Sequence, residues 1–243
     1  MKIKVLGCYG GQLPGYNTAG FLIDNSVMMD AGTIGLKLSM AEQRKIKAVL
    51  ISHAHLDHIG GLPMFAVNIT SNRAASVEVC AAEKTLASVK EHLLNWQLWP
   101  DFSKINNAAG KPVFNYREIP QSGWLKSGEY RVRAVPVNHS IPAYGLIIGK
   151  GKSYAVYTGD TKQTDELWKE ASKLGRSLKS VIIEAAYPDN MEEMAERSGH
   201  LVPRTVEKEL KKLGGLKPRV FIVHMKPEYA VKIEKELRKI RGY

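Results

Sequence analysis

The sequence predicts an α/β protein whose functional groups collect at the carboxyl ends of its strands. Short β-branched and leucine-rich runs, such as the run at 48–51, are typical of buried strands. Histidine or aspartate follows several of these runs at once, and open α/β architectures collect their sites at such strand ends. The chain has 243 residues, of which 44% are hydrophobic, and this suits a single domain over 1–243.

The first half is predicted to begin with a meander of three antiparallel strands, because its apolar runs are joined by a glycine-rich connection and a turn. The expected strands are 3–6, 20–24 and 27–30, then 47–51 and 77–81. The expected helices are 33–45, 60–68 and 83–94. His92, on the last of these helices, is predicted to be structural or exposed.

The second half alternates strands with amphipathic segments of helical length. Strands are expected at 113–119, 130–137, 180–184 and 220–224, with a hairpin of 143–149 and 153–158 that turns at Lys150-Gly151-Lys152. Helices are expected over 163–174, 203–213 and 228–240, and Pro203 suits a first helical turn.

One hexapeptide carries most of the candidate metal ligands. It follows the strand at 47–51 and reads His53-Ala54-His55-Leu56-Asp57-His58. In an extended chain, alternate side chains share a face, so His53 and His55 could bind one metal. Asp57 and His58 would then be offered to a second metal nearby. Three histidines and an aspartate within six residues at a strand end are rarely all structural.

Four further polar residues lie at or just beyond the ends of predicted strands or before a predicted helix. They are His139, Asp160, His200 and His224, so six of the seven histidines belong to one pattern. Asp30 also ends a strand, where it could orient a ligand histidine or simply form a turn.

Composition limits the classes of partner. The net charge is 35 − 24 = +11, which favours anionic partners, although solvated helix faces explain most of the lysines. The two cysteines form no CxxC pair and leave one disulfide open. No segment approaches the roughly 20 apolar residues of a membrane span. We therefore expect no membrane partner and a cytoplasmic location.

On these residues, the sequence resembles the metallo-β-lactamase superfamily of binuclear metal hydrolases. The resemblance covers essentially the whole chain, and it implies a four-layer αββα sandwich with two divalent metal ions. It implies that the first ion is held by His53, His55 and His139, the second by Asp57, His58 and His224, and that Asp160 bridges both. Zinc is favoured, and manganese or iron also suits imidazole and carboxylate ligands.

Three stretches around Glu184, His200 and His224-Met225-Lys226 are similar to the class II cyclic-nucleotide phosphodiesterases. The resemblance implies a phosphodiesterase that hydrolyses a small or cyclic nucleotide phosphodiester through a hydroxide between the two metals. Asp57, Asp160 and His200 are the expected catalytic residues, with His200 protonating the leaving oxygen. Glu184 could orient His200 and Lys226 could contact the substrate, or each could be structural.

Three alternatives stay open on the same fold. One is a ribonuclease Z-like enzyme that processes tRNA 3′ ends. Only 20 residues separate His139 from Asp160, however, and the predicted hairpin occupies them. The others are a lactonase or thioesterase, which would leave His200 without a role, and a non-catalytic metal-binding module.

The aromatic stretch Trp96–Phe102 is predicted to be core, a homodimer contact, or a wall for a planar ligand group. A small anionic phosphodiester is the favoured partner over nucleic acid.

Overall fold

The computed structural model describes residues 1–71 and 75–240. The chain divides into two compact units. The first comprises Met1–Cys8 and Asn17–Ile119, and the second comprises Tyr9–Tyr16 and the chain from Pro120 onward. Each unit contains one mixed six-stranded sheet with helices, in agreement with the predicted α/β class. A single domain over 1–243 stays a prediction.

The sheet of the first unit begins antiparallel, as predicted, and continues parallel. Its strands, in spatial and chain order, are β1 (Ile3–Gly7), β2 (Gly20–Ile23), β3 (Val27–Met29), β4 (Ala48–Leu50), β5 (Val77–Ala81) and β6 (Phe114–Glu118). Its helices are α1 (Met40–Gln43), α2 (Leu56–Ile59), α3 (Leu62–Thr70) and α4 (Glu83–Ser88), which runs into a π-helical turn at Val89–Leu93.

The core of the first unit forms because the strands are apolar along their length. Met28, Val49 and Val79 come from three neighbouring strands and are fully buried, and Phe65 of α3 and Phe114 of β6 join them. Burying each such side chain contributes about 1.5–3 kcal/mol. Because β3, β4 and β5 run parallel, the residues that follow them reach the same edge of the sheet.

Two local predictions in this unit are wrong. The helix expected over 33–45 is reduced to Met40–Gln43, because Ser39 begins it with a capping box in which its hydroxyl and Glu42 bond each other's backbone amides. The chain before it bends closely past the α2 segment, where a Cβ on Gly32 would lie 1.9 Å from the Asp57 carbonyl. The hexapeptide is not fully extended, since β4 ends at Leu50 and helix α2 carries Asp57 and His58.

The sheet of the second unit begins antiparallel and ends with three parallel strands. Its strands are β7 (Leu125–Ser127), β8 (Tyr130–Val137), β9 (Ala143–Lys150), β10 (Ser153–Tyr157), β11 (Leu178–Glu184) and β12 (Arg219–Val223). Its α-helices are α5 (Glu166–Ser172), α6 (Glu192–Ser198), α7 (Pro203–Lys211) and α8 (Ala230–Leu237). The β9–β10 hairpin is confirmed, whereas β7 and α6 have no counterpart in the sequence prediction.

The three parallel strands position the functional residues of the second unit. Their apolar side chains, such as Val156, Val181 and Ile183, are fully buried. The polar residues follow where this burial ends, and Asp160, Glu184 and His224 therefore come after or at the ends of β10, β11 and β12.

The aromatic stretch Trp96–Phe102 divides between core and surface. Phe102 is buried in the core of the first unit and Trp99 packs against it, whereas Trp96 and Leu98 are 61% and 62% exposed. Within residues 1–71 and 75–240, the helices are too short or too polar to cross a bilayer. Both cysteines are free, which closes the disulfide alternative.

Candidate metal centre

A buried hydrogen-bond relay holds His53 in the first unit. The backbone amide of Ser52 donates to Asp30 Oδ1 at 2.8 Å, and the Ser52 hydroxyl donates to Asp30 Oδ2 at 2.8 Å. The same Oγ lies 3.0 Å from His53 Nδ1. Because the carboxylate can only accept, the hydroxyl hydrogen points to Asp30, and Oγ must accept from His53 Nδ1–H. This assigns the lone pair of His53 to Nε2, the atom that a metal would bind.

Asp30 controls a second histidine directly. His58 Nδ1 donates to Asp30 Oδ2 at 2.7 Å, and both side chains are fully buried. The carboxylate again fixes the proton on Nδ1 and leaves Nε2 as a metal ligand. A backbone hydrogen bond holds the same two segments together, since the Ala31 amide donates to the His58 carbonyl. Asp30 has a φ of 55° and lies at the turn that follows β3.

His55 and Asp57 are the more accessible members of the hexapeptide. His55 precedes α2 as its N-cap, and its ring lies edge-on to His53 at 4.9 Å between centroids. Asp57 lies in the first turn of α2, with Oδ2 3.6 Å from His58 Nε2. The side chains of the hexapeptide therefore group closely within the first unit.

The second unit presents its own set of candidate ligands. His139 follows β8, and its Nδ1 donates to the Gly199 carbonyl at 2.8 Å, which again leaves Nε2 to a metal. Asp160 follows β10, and its Oδ2 lies 3.1 Å from His224 Nε2. A Cβ on Gly10 would lie 2.6 Å from that same His224 nitrogen, so the ring occupies a space that only glycine leaves open.

His200 is held by a buried glutamate. Its Nδ1 lies 2.8 Å from Glu184 Oε1, and the two carboxylate oxygens also accept from three backbone amides, those of Thr161, Ala186 and Leu201. The ring of His200 stacks on that of His224 at 5.1 Å and meets His139 edge-on at the same distance. The amides hold the Glu184 carboxylate in place, and the carboxylate fixes the orientation and tautomer of the His200 ring. The Nε2 atom of His200 is directed away from the glutamate.

Burial and charge act on this pair in opposite directions. Burial raises the pKa of Glu184, against the favourable charge and hydrogen bond of His200. Burial by itself would lower the pKa of His200, but the charge and hydrogen bond of Glu184 outweigh it and raise that pKa. Both shifts favour a proton held between the two side chains.

Lys226 has a structural contact of its own. Its Nζ donates to the Gly10 carbonyl at 2.6 Å, and its backbone amide donates to the Ala186 carbonyl. Its predicted contact with the substrate stays a prediction.

A surface cavity of about 420 Å³ adjoins His200, and its wall carries Glu192, Glu193 and Glu196. Lys208 lies on the same wall, and Glu192 and Glu196 are paired with Arg204 and Lys162.

The predicted ligands fall into two groups of side chains that could each hold a metal ion. One is His53, His55, His139 and Asp160, and the other is Asp57, His58, Asp160 and His224. The donor set fits divalent metals, because it consists of imidazole nitrogens and carboxylate oxygens, and three of the imidazoles have Nδ1 committed to an acceptor. His92 lies apart from both groups and is exposed.

Sequence reasoning missed Ser52, the Gly199 carbonyl and Gly10. Ser52 has a visible signal, since a hydroxyl residue stands directly before the first histidine of the hexapeptide. The Gly199 carbonyl is a backbone group, and only the fold brings it to His139. The role of Gly10 is to leave space for the His224 ring, and this contact is visible only in the folded chain.

Comparison with known proteins identifies the family. A family model described as a β-lactamase superfamily domain matches residues 22–225. The chain belongs to this superfamily. The predicted metallo-β-lactamase fold, an αββα sandwich, and the prediction of an enzyme of this hydrolase superfamily are thereby confirmed.

Relatives with assigned names include phosphodiesterases and ribonucleases. A probable 3′,5′-cyclic-nucleotide phosphodiesterase of Yersinia pestis is 28% identical over 77% of this chain, which spans 59% of that relative. A 3′,5′-cyclic-nucleotide phosphodiesterase of Aliivibrio fischeri is 29% identical over 91% of this chain and 80% of its own length. A nuclear ribonuclease Z of Triticum aestivum is 28% identical over 56% of this chain and 77% of its own length.

Solved structures of the superfamily have the same fold. Unliganded yeast PDE1 matches with a TM-score of 0.80 at 19% identity, over 97% of this chain and 92% of its own. A metallo-β-lactamase fold protein, YhfI of Bacillus subtilis, matches with a TM-score of 0.75 at 18% identity, over 98% of this chain and 92% of its own. At these identities the likeness shows the fold alone.

Proposed function

We propose that this protein is a binuclear metal-dependent phosphodiesterase that hydrolyses a small or cyclic nucleotide phosphodiester. The observation that carries the proposal is His200, an imidazole beside His139 and His224 whose Nδ1 is fixed by Glu184. A proton donor in this position is what an alkoxide leaving group needs. The two relatives named as cyclic-nucleotide phosphodiesterases support the same substrate class.

The proposed metal site uses the residues predicted from the sequence. His53, His55 and His139 would hold the first ion, Asp57, His58 and His224 would hold the second, and Asp160, which belongs to both groups, would bridge them. Zinc is the proposed metal, with manganese or iron as alternatives that the same ligands accept. Asp30, directly and through Ser52, would orient His58 and His53.

When bound, the two ions would supply Lewis-acid stabilisation of the phosphoryl charge and an activated water nucleophile. The remaining roles belong to the chain itself. His200 would deliver the proton on Nε2 to the leaving oxygen, and Glu184 would hold the ring in place and stabilise its protonated form. Asp57 and Asp160 would set the position of the reacting groups through the ligand set.

The segment between His139 and Asp160 is short, and its shortness favours a small phosphodiester over RNA as the substrate. That interval is largely filled by the β9–β10 hairpin, whose turn is only Gly151-Lys152. It leaves no room for a long RNA-binding arm at this point. The ribonuclease Z-like alternative retains support from the relative of that name and from the net charge of +11. A lactonase or a thioesterase would leave His200 without a role. A non-catalytic module is disfavoured because the chain keeps all seven expected ligands and His200.

The deciding experiment measures hydrolysis of a substrate panel by metal-reconstituted protein, with and without chelator. The panel contains bis-p-nitrophenyl phosphate, cyclic AMP, 2′,3′-cyclic nucleotides, a tRNA precursor and a lactone. We expect chelator-sensitive cleavage of cyclic nucleotides. Cleavage of the tRNA precursor alone would move the protein to the ribonuclease alternative, and lactone turnover alone would remove the role of His200.

Variants separate metal binding from proton transfer. Asp160→Ala should lose metal and activity together. His200→Ala should keep its metal content and lose about 10²–10⁴-fold in kcat, the usual size of a general-acid contribution. His92→Ala, an exposed histidine outside the ligand groups, is the matched control and should behave as wild type. Wild-type turnover by His200→Ala would refute the proposed role of His200 as the acid.

A cytoplasmic location and a homodimer stay predictions from the sequence.

A further inference from the structure

A second cavity lies in the second unit, at the end of the sheet opposite the candidate ligands. It has a volume of about 480 Å³ and is lined by four cationic side chains, Arg176, Lys179, Lys217 and Arg219. Lys179 and Arg219 belong to the first residues of β11 and β12, whereas Glu184 ends β11 and His224 follows β12. Six residue steps along β11 correspond to about 20 Å, so the cavity is remote from the ligand groups.

Counter-charges to these four cations are absent from the part of the chain that the structure describes. Among the described residues, none of the four forms an ion pair, and no carboxylate lines the cavity. The neighbouring lysines Lys211 and Lys212 contrast with them, since these pair with Glu207 and Glu209. The Lys179 ammonium instead donates to the Arg176 carbonyl at 2.8 Å, which fixes one cation at the cavity wall. Uncompensated like charges around a cavity favour an anionic occupant.

The rest of the lining favours a small organic anion. The half-buried Leu216 supplies apolar surface beside the cations, whereas Leu178 packs into the core below the cavity. Gly175 and Gly215 also line the cavity, and their lack of side chains leaves it open. Small-molecule sites commonly enclose roughly 300–1,000 Å³ and combine apolar surface with a few placed polar groups. Arginine and lysine together suit a phosphate chain, because the guanidinium bonds it in bidentate fashion and the ammonium acts as a point charge.

We propose that this cavity binds the polyphosphate group of a nucleoside di- or triphosphate, at a site separate from the candidate metal centre. Arg176, Lys179, Lys217 and Arg219 bind the phosphates, and Leu216 contacts the organic part of the ligand. Pyrophosphate carries the same group and should bind as well. The phosphate backbone of a nucleic acid shares this chemistry, so the test separates it from a polyphosphate.

The test is calorimetric titration of the full chain in low salt with pyrophosphate, ATP, adenosine and a short oligoribonucleotide. We expect ATP and pyrophosphate to bind and adenosine not to bind. The double variant Lys217→Ala/Arg219→Ala should lose at least about tenfold in ATP affinity, because two charge-assisted contacts are removed. Lys152→Ala, an exposed lysine in the β9–β10 turn, is the matched control and should bind as wild type.

Asp160→Ala separates this cavity from the metal centre and should bind ATP as tightly as wild type. Three results would overturn the proposal: no binding of ATP or pyrophosphate at about 1 mM; loss of binding in Asp160→Ala but not in the double variant; or binding of the oligoribonucleotide alone. All four side chains of the cavity are exposed, so the double variant is expected to fold, and its circular dichroism spectrum checks this.

Discussion

Replacing Ser52 by alanine would break the relay between Asp30 and His53. The hydroxyl lies 2.8 Å from Asp30 Oδ2 and 3.0 Å from His53 Nδ1, and all three residues are fully buried. The variant removes both hydrogen bonds of the hydroxyl, and the one to the Asp30 carboxylate is worth about 1.5–3 kcal/mol, while Asp30 keeps the Ser52 amide and His58. We therefore expect the metal-free protein to lose about that much free energy of unfolding.

The same change should weaken metal binding, because His53 loses the partner that holds its proton on Nδ1. Loss of such an outer partner typically costs about 10–100-fold in metal affinity. The assay is competition for zinc against a chromogenic chelator, alongside urea denaturation of the chelated protein. Ser52→Thr keeps the hydroxyl and should restore most of the affinity.

A remote serine provides the matched control for this prediction. Ser172 in α5 donates its hydroxyl to the Trp168 carbonyl, so Ser172→Ala removes a hydrogen bond away from the ligand groups. It should leave zinc affinity unchanged. The relay would be refuted if Ser52→Ala bound zinc within about twofold of wild type, whatever its stability, since the expected loss is at least tenfold.

Three further predictions concern other parts of the chain. Gly10→Ala should lower the free energy of unfolding by about 1–3 kcal/mol and weaken zinc binding, because its Cβ would meet His224 at 2.6 Å. Gly11→Ala is the control, since its Cβ would meet Pro227 at 3.2 Å, and it should change stability and zinc affinity less. Burial raises the pKa of both thiols, and with the charge of Glu78 it raises that of Cys80 to about 12. Because Cys80 is also buried whereas Cys8 is half-buried, a thiol reagent at pH 8 should modify Cys8 slowly and leave Cys80 intact until denaturant is added. Removing metal by dialysis against chelator should lower Tm and refill with zinc should restore it, because a ligand bound only by the native state adds to its stability; an unchanged Tm would contradict the proposed site.

The strands were predictable because burial imposes a simple pattern on them. The apolar runs that became β4, β11 and β12 are each followed by the polar residues that the fold brings to a sheet edge. The hexapeptide at 53–58 was equally visible, since clustered histidine and aspartate are uncommon outside metal sites. The ligand assignment itself stays a proposal.

Local capping and backbone contacts explain the failures. The helix predicted over 33–45 contains Gly35 and directly follows Gly32, and Ser39 supplies a stronger start six residues later than expected. Helix α6 is short and mostly charged, so it lacks the apolar stripe by which helices are recognised. The contact between His139 and the Gly199 carbonyl spans 60 residues, and no local pattern encodes it.

The short segment Tyr9–Tyr16 has a consequence for how the chain can be divided. It departs from the first unit between β1 and β2 and adds to the second, where the Gly10 amide donates to the Met225 carbonyl and its own carbonyl accepts from Lys226. A gene fragment that starts at Pro120 would therefore encode a half with a missing piece. Inheritance of that half as a separate module, or its expression alone, would require a peptide equivalent to residues 9–16 to be supplied from outside.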